Sequence, residues 1–299
     1  MPGTDLRRKR RRELLGAVAG IATGLFMLAC GPAVNASASD GVDKTRLPVG
    51  DGQVTTAGPQ RNYIYLCNQG GGGGGASSQG PWFNGDGTWD ATEKATVDGS
   101  VSWPSATFEH TLSGDQRVLS GNGVPADHTT GTFPVSPSDD AYLYDRDPNS
   151  IRAQSLRYEL AADPVKGSPR CIGGEVGVAK NGVPIFNGLD AGNRDAAAWE
   201  AQDRCGGHPQ VSGRYHYHSI PACLNEGESR RRHSRLVGYA LDGFPIYGPR
   251  GEDGEELTND DLDVCHGHSH RVKLDGEKVR TYHYHGTAEY PYTVGCLRG

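Results

Sequence analysis

Two copies of one tetrapeptide, with tyrosine and histidine in alternation, carry the residues of this chain best suited to chemistry. They are Tyr215–His218 and Tyr282–His285. Tyrosine favours strands, and residues i and i+2 of a strand share a face, so each copy presents two imidazoles on one face and two phenols on the other. Imidazoles about 7 Å apart at Cβ can turn inward and bind one metal ion at about 2.0–2.1 Å. The pattern predicts that His216, His218, His283 and His285 bind metal, in one site or in two. The alternative is a pair of core strands whose histidines only form hydrogen bonds.

The two tetrapeptides lie in matching surroundings, which indicates an internal repeat. Each is preceded by a Gly-x-Pro-Ile-aromatic segment and a Cys-x-x-His segment, and each is followed by a cysteine. The first pair of segments is Gly182–Phe186 and Gly243–Tyr247, and the second pair is Cys205–His208 and Cys265–His268. His208 and His268, which end the second pair, are further candidate ligands. His268 is part of a short histidine-rich tract with His266 and His270, and these two rank below His268 as candidate ligands.

These motifs resemble the YHYH domain family of bacterial and algal exported proteins. The resemblance rests on both tetrapeptides, on Gly238–Gly248 and on Tyr290–Cys296, and it extends from about Gly121 to the C-terminus. It implies a fold family rather than a biochemical role. The stretch Gly121–Gly131 also resembles one that the family carries ahead of its repeat. His128 lies in it, in a glycine- and proline-rich loop, and is either a further site residue or a surface histidine.

The composition favours short strands and turns, since the 299 residues include 44 glycines and 18 prolines. We therefore predict a mainly β fold with short helices. Two pseudo-repeats, each made of a hairpin, a Cys-x-x-His segment and a YHYH strand, would form one disulfide-stabilised domain. The hairpins turn at Asn181-Gly182 and Asp242-Gly243. Helices are expected over Asp190–Asp203 and, more briefly, over Asn259–Leu262.

The N-terminus has the features of an export signal over residues 1–29. A run of basic residues precedes an apolar stretch that is too short to span a membrane, and Arg11-Arg12 resembles a twin-arginine signal. Cys30 resembles the lipidated cysteine of a lipoprotein, although cleavage after Ala36 or Ala38 is an alternative. Residues 30–59 are predicted to be a flexible tether, residues 60–165 an N-terminal β-rich part, and residues 166–299 the duplicated YHYH domain.

Six cysteines remain after Cys30, and an even number in an exported chain predicts up to three disulfides. The repeat predicts Cys205–Cys223 and Cys265–Cys296, which leaves Cys67–Cys171 as the third pair. Other pairings stay open. A competing hypothesis makes Cys205 and Cys265 thiolate ligands of the metal.

The net charge of −6 argues against a nucleic-acid partner. We expect an exported or lipid-anchored protein that binds a transition metal, copper first and zinc second, between its two halves. The basic run Arg230–Arg235, between the repeats, is interpreted as a solvated linker. One alternative function is a metal-dependent hydrolase or oxidoreductase that uses Asp190 or Asp242 as a base, although turn and cap roles suit both carboxylates better. The other is a structural or binding module of the cell envelope without a metal.

Overall fold

The computed structural model describes residues 41–70, 74–225 and 229–299. The predicted export signal and Cys30 lie outside these residues. The described chain is mainly β, as predicted, and no helix in it is long and apolar enough to cross a membrane. Helical structure is limited to the α-helices α1 (Ala196–Trp199) and α2 (Ala222–Asn225) and to 3₁₀ turns at Asp140–Leu143 and Asn259–Asp261. The strands, in chain order, are β1 (Leu47–Pro48), β2 (Val54–Thr55), β3 (Ile64–Tyr65), β4 (Thr88–Trp89), β5 (Phe108–Ser113), β6 (Gln116–Gly121), β7 (Leu156–Ala161), β8 (Glu175–Ala179), β9 (Pro184–Phe186), β10 (Gly207–Pro209), β11 (Tyr215–Tyr217), β12 (Leu236–Ala240), β13 (Pro245–Tyr247), β14 (Gly267–Leu274) and β15 (Glu277–His285).

An eight-stranded sheet contains both repeats, with the strand order β10-β11-β9-β8-β12-β13-β15-β14. The first four strands belong to one repeat and the last four to the other. Strands β8 and β12 meet in the middle as an antiparallel pair, with Val178 opposite Tyr239. Gly177 lies opposite Ala240. Their equivalents in the other repeat, Gly238 and Ala179, lie opposite one another in the same way. A local two-fold axis therefore passes between Val178 and Tyr239.

Each half of the sheet is built in the same way. A hairpin comes first, and its turn contains a glycine with positive φ, 85° at Gly182 and 90° at Gly243. The YHYH strand then pairs in parallel with the second hairpin strand, β11 with β9 and β15 with β13. On its other side the YHYH strand pairs antiparallel with the strand that follows the Cys-x-x-His cysteine, β10 or β14. Both predicted hairpins are confirmed.

The tyrosine face of both tetrapeptides is core. Tyr215, Tyr217, Tyr282 and Tyr284 are at most 3% exposed and pack in one apolar cluster. A buried phenol needs a hydrogen-bond partner, and the repeat supplies it twice. Tyr215 donates to Asp203 over 2.8 Å, and Tyr282 donates to the equivalent Asp263 over 2.9 Å.

A glycine precedes the histidine of each Cys-x-x-His segment because a tyrosine ring occupies the space of its side chain. A Cβ at Gly207 would lie 2.2 Å from the Tyr215 ring, and one at Gly267 would lie 2.5 Å from the Tyr282 hydroxyl. The tyrosine face thus presses on the same strands that carry the histidines. Packing of the phenols fixes the position of the imidazoles behind them.

Three disulfides join the cysteines as the repeat predicts: Cys67–Cys171, Cys205–Cys223 and Cys265–Cys296. The hypothesis that Cys205 and Cys265 are thiolate ligands is therefore wrong.

A second sheet, β5-β6-β7, covers the two-fold axis, since Leu119 and Leu160 pack on Val178 and Tyr239. The described residues from 41 onward form one compact unit, and the predicted boundary at residues 165 and 166 stays a prediction.

Three predicted segments differ from the structure. The tether prediction is wrong from residue 41 onward, because Leu47 is only 3% exposed in the main core and Leu47–Pro48 pairs with β4. Apolar residues scattered among small polar ones were enough to anchor this segment. The helix predicted over Asp190–Asp203 is reduced to the single turn of α1, and the remainder is turn and loop. The shorter helix is a 3₁₀ turn preceded by Thr258 rather than capped by Asn259.

The carboxyl group that starts α1 gives a pH test of the fold. Asp195 is fully buried and accepts hydrogen bonds from Tyr292 Oη (2.7 Å) and the backbone N–H of Gly50 (2.8 Å). Burial raises its pKa to about 6, above the unfolded value of about 3.9. Its stabilising contribution is therefore complete below about pH 4 and is lost as the pH rises through 6. We expect metal-free wild-type protein to lose about 2–3 kcal/mol of stability relative to Asp195→Asn between pH 4 and pH 7, measured by denaturant unfolding. Parallel pH profiles would contradict this.

Candidate metal centres

Seven of the eleven histidines collect in two separate clusters, one in each half of the large sheet. In each cluster the candidate ligand atoms all lie within 4.8 Å of one another. The sequence left open whether the halves form one site or two, and the structure separates the histidines of the two tetrapeptides. The halves join through β8 and β12, whereas β11 and β15 lie five strand spacings apart, about 24 Å along a flat sheet. The first cluster is His208, His216 and His218, and the second is His233, His270, His283 and His285.

The first cluster is formed where β10 and β11 pair, with His208 directly opposite His216. His216 Nε2 lies 3.0 Å from His218 Nε2, which in turn lies 3.1 Å from His208 Nε2. Ligands at about 2.0–2.1 Å from one ion are about 2.9–3.4 Å apart when they subtend angles between square and tetrahedral. The observed nitrogen separations match this spacing.

The protonation of the first cluster follows from its backbone contacts. His216 Nδ1 lies 3.1 Å from the carbonyl oxygen of Arg214, and His218 Nδ1 lies 2.5 Å from that of Asn187. A carbonyl oxygen only accepts, so both Nδ1 atoms carry the proton and both Nε2 atoms present lone pairs. Burial lowers the pKa of His216 well below its usual value and that of His218 to about 3, so both rings are neutral at pH 7. Two lone pairs 3.0 Å apart repel one another, and a cation between them relieves this.

Two buried carboxylates adjoin the first cluster, and the sequence analysis missed both. Glu200 Oε2 lies 3.3 Å from the Nε2 atoms of both His208 and His218, and Asp147 Oδ2 lies 3.4 Å from His208 Nδ1. Neither of these oxygens has a hydrogen-bond partner. Burial alone would lower the pKa of His208, but the two carboxylates raise it to about 9, and burial raises the pKa of Glu200 to about 7. At this edge of the cluster the proton held by His208 thus balances negative charge on the two carboxylates.

The second cluster repeats the same orientation on β15. His283 Nδ1 donates to the carbonyl oxygen of Thr281 (3.1 Å) and His285 Nδ1 to that of Gly248 (2.7 Å). These acceptors are placed like Arg214 and Asn187 in the first half. Burial lowers the pKa of His283 to about 2 and that of His285 well below its usual value. The Nε2 atom of the fully buried His285 has no hydrogen-bond partner.

The other members of the second cluster differ from those expected. His270 donates from Nδ1 to the carbonyl oxygen of Arg271 (3.2 Å), and its Nε2 lies 3.1 Å from His283 Nε2. His268, which was ranked higher, lies outside the mutually close set, although its Nε2 is 3.0 Å from His270 Nε2. His233 belongs to the segment interpreted as a solvated linker, and that interpretation is wrong at this residue. Its ring packs 4.8 Å from the ring of Tyr247 and 5.0 Å from that of His285.

The aromatic residue of each Gly-x-Pro-Ile-aromatic segment packs on the first histidine of the tetrapeptide. The ring centre of Phe186 is 4.1 Å from that of His216, and the ring centre of Tyr247 is 5.3 Å from that of His283. The residue that follows the aromatic, Asn187 or Gly248, supplies the carbonyl oxygen for the second histidine. This motif therefore orients both imidazoles of its tetrapeptide.

A cavity of about 570 Å³ lies beside the first cluster. All three histidines of that cluster line it, together with Glu200 and Asp147. The ring of Phe186 and apolar side chains form another part of its wall. The first cluster is therefore accessible to a small molecule even though each of its histidines is at most 5% exposed.

Several residues named from the sequence take no part in either cluster. His128 faces the tyrosine side of the sheet, with Nδ1 2.8 Å from Asp127 Oδ1 and Nε2 3.2 Å from the hydroxyl of Tyr217. Asp242 accepts the hydroxyl of Tyr284 (2.6 Å) on that same side. Asp190 lines the cavity, but its oxygens accept the N–H groups of Gly192 and Arg194. Neither carboxylate is positioned as the predicted base.

Single substitutions should separate the two clusters. We expect His216→Ala to remove one equivalent of bound metal and His283→Ala to remove the other, because each histidine serves one cluster. His128→Ala, which alters a histidine outside both, should retain both equivalents. Elemental analysis of each purified variant measures this. Loss of all metal in either single variant would contradict two independent clusters.

A protein-family model described as YHYH protein matches residues 157–259. The match begins in β7 and includes the first tetrapeptide, the first histidine cluster and the second hairpin, whereas the second tetrapeptide lies beyond it. No curated protein and no solved structure showed a match to the chain. The resemblance seen in the motifs is thus confirmed over a shorter stretch than the motifs suggested. Over residues 157–259 the chain is therefore similar to the YHYH protein family.

Proposed function

We propose that this protein binds two transition-metal ions, one in each histidine cluster. The observation that carries the proposal is the approach of bare imidazole nitrogens: His216 to His218 at 3.0 Å and His283 to His270 at 3.1 Å. In each pair both Nδ1 protons are committed to backbone carbonyl oxygens. A structural histidine would point a donor at an acceptor, whereas these pairs point lone pairs at one another. Such a pair occurs in each half of the sheet, within the YHYH segment in the first cluster and between β15 and β14 in the second.

The donor sets favour copper or zinc. Imidazole suits Zn, Cu, Fe and Ni, and the cysteines of the described chain are in disulfides, so no thiolate competes. The second cluster offers imidazole nitrogens alone. The first offers three imidazoles, with the carboxylate of Glu200 next to them. At neutral pH the depressed pKa of His216, His218, His283 and His285 keeps these rings ready to bind without first losing a proton.

We also propose that the protein works outside the cytoplasm, as an exported or lipid-anchored chain. The basic and apolar segments of residues 1–29 and Cys30 support this. Three disulfides support it too, because they form and persist in oxidising compartments. Mass analysis of the mature N-terminus would decide between a lipidated Cys30 and cleavage after Ala36 or Ala38.

Metal content and thermal stability together test the proposal. Mature protein purified without chelator or a histidine tag should contain two equivalents of copper or zinc. Removal of the metal by chelator should lower Tm by about 10 °C, because a ligand at 1,000 times its Kd contributes about 4 kcal/mol to the folded state. Addition of the metal should restore Tm.

The outcome expected for an envelope module without metal is different. Such a protein would contain no metal after reconstitution, and chelator would leave its Tm unchanged. Reductant would still lower Tm, because the disulfides stabilise the fold in either case. That combination would overturn the proposed function.

A further inference from the structure

We propose that the first cluster is a ligand-binding centre, which takes an uncharged or cationic small organic molecule with a nitrogen or oxygen donor atom, while the second cluster is structural. This inference rests on the proposed function, because the donor atom of the ligand completes the coordination of the first metal ion. The two clusters share their histidine geometry but differ in their number of protein donors and in their surroundings.

The number of protein donors differs between the clusters. Four imidazoles converge in the second cluster, which is the number that a structural tetrahedral site uses. Three converge in the first, which is the number typical of sites that keep one position for water or substrate. Glu200 touches His208 and His218 at 3.3 Å but lies outside the mutually close set. It is therefore placed to accept a hydrogen bond from whatever occupies the remaining position.

The cavity beside the first cluster has the size and lining of a small-molecule site. Its volume of about 570 Å³ falls within the range of about 300–1,000 Å³ of ligand pockets. Leu66, Ile172, Phe186 and Leu189 form an apolar wall, and the three imidazoles provide the polar end. A ligand can thus place an apolar body against this wall while its donor atom reaches the metal.

The charges of the lining decide the class of ligand. Among the described residues, four carboxylates line the cavity and no lysine or arginine does. Asp190 is neutralised by Arg194, whose guanidinium lies 2.6 Å away. Glu200 and Asp147 are at most 6% exposed, and each has an oxygen without a hydrogen-bond partner at the cluster. Lys94 lies behind this wall and donates to the backbone oxygens of Ala197 and Glu200. Apart from the imidazoles and the proposed metal ion, an anionic ligand would meet no cationic side chain among the described lining residues, and the carboxylates of Glu200 and Asp147 offset the charge of the ion.

Three pyridines of similar shape and different charge test the inference. They are 3-(aminomethyl)pyridine, which is cationic, nicotinamide, which is uncharged, and nicotinate, which is anionic. Each is titrated into Cu²⁺- or Co²⁺-loaded protein while the visible spectrum of the metal is followed, and metal content is measured on the same samples. We expect the first two to perturb the spectrum of one metal ion and nicotinate to bind about tenfold more weakly or worse.

Variants assign the response to the first cluster. His283→Ala, with one metal left, should keep the response, and His216→Ala, also with one metal left, should lose it. Glu200→Gln should reduce the preference for the cation over nicotinate, whereas Glu277→Gln, an exposed acid on β15, should leave it unchanged. Three results would overturn the inference while leaving the proposed function intact. The loaded protein could respond to none of the ligands, bind nicotinate equally well, or respond only through the second cluster. Absence of metal from both clusters would overturn both.

Discussion

The site depends on one constraint, the hydrogen bond from each tetrapeptide histidine to a backbone carbonyl oxygen. His216 and His283 donate to the residue two positions earlier, and His218 and His285 donate to the residue after the hairpin aromatic. Since a carbonyl can only accept, every one of these bonds fixes the tautomer and turns Nε2 inward. Burial then keeps the rings neutral. Lone pairs of buried rings are thereby held close together, and the proposed metal ion would satisfy them.

The remaining architecture explains how this constraint is met twice. The two-fold axis between Val178 and Tyr239 generates two hairpins and two YHYH strands from one structural plan. On each YHYH strand the tyrosines are buried in the core and bonded to polar side chains, so the strand cannot rotate to release its histidines. The halves diverge in what the neighbouring segments contribute. Glu200 and Asp147 reach the first cluster, while His233 and His270 reach the second.

Much of this could be predicted because it is local or repeated. Alternation along a strand separates phenols from imidazoles, Asn181-Gly182 and Asp242-Gly243 specify hairpin turns, and the order of the cysteines along the repeat predicts their pairing. The residues that distinguish the clusters could not be predicted this way. Glu200 and His233 lie outside the repeated motifs and reach the clusters only through tertiary packing, and no spacing in the sequence marks them. The histidine-rich tract around His268 marked candidate ligands. His268 and His270 share one face of β14, however, and only the tertiary placement of His233, His283 and His285 decides that His270 and not His268 joins the mutually close set. The position of His128 could not be predicted, because the resemblance of the loop Gly121–Gly131 to the family does not indicate which face of the sheet the loop approaches.

The central claim is that converging imidazoles in each half of the sheet hold a metal ion. Anomalous X-ray diffraction from crystals of the metal-loaded protein, collected on both sides of the copper or zinc absorption edge, tests this most directly. The account predicts two anomalous peaks per chain, one among His208, His216 and His218 and one among His270, His283 and His285. A single peak between the halves, peaks elsewhere, or histidine clusters that stay intact without anomalous density would contradict it.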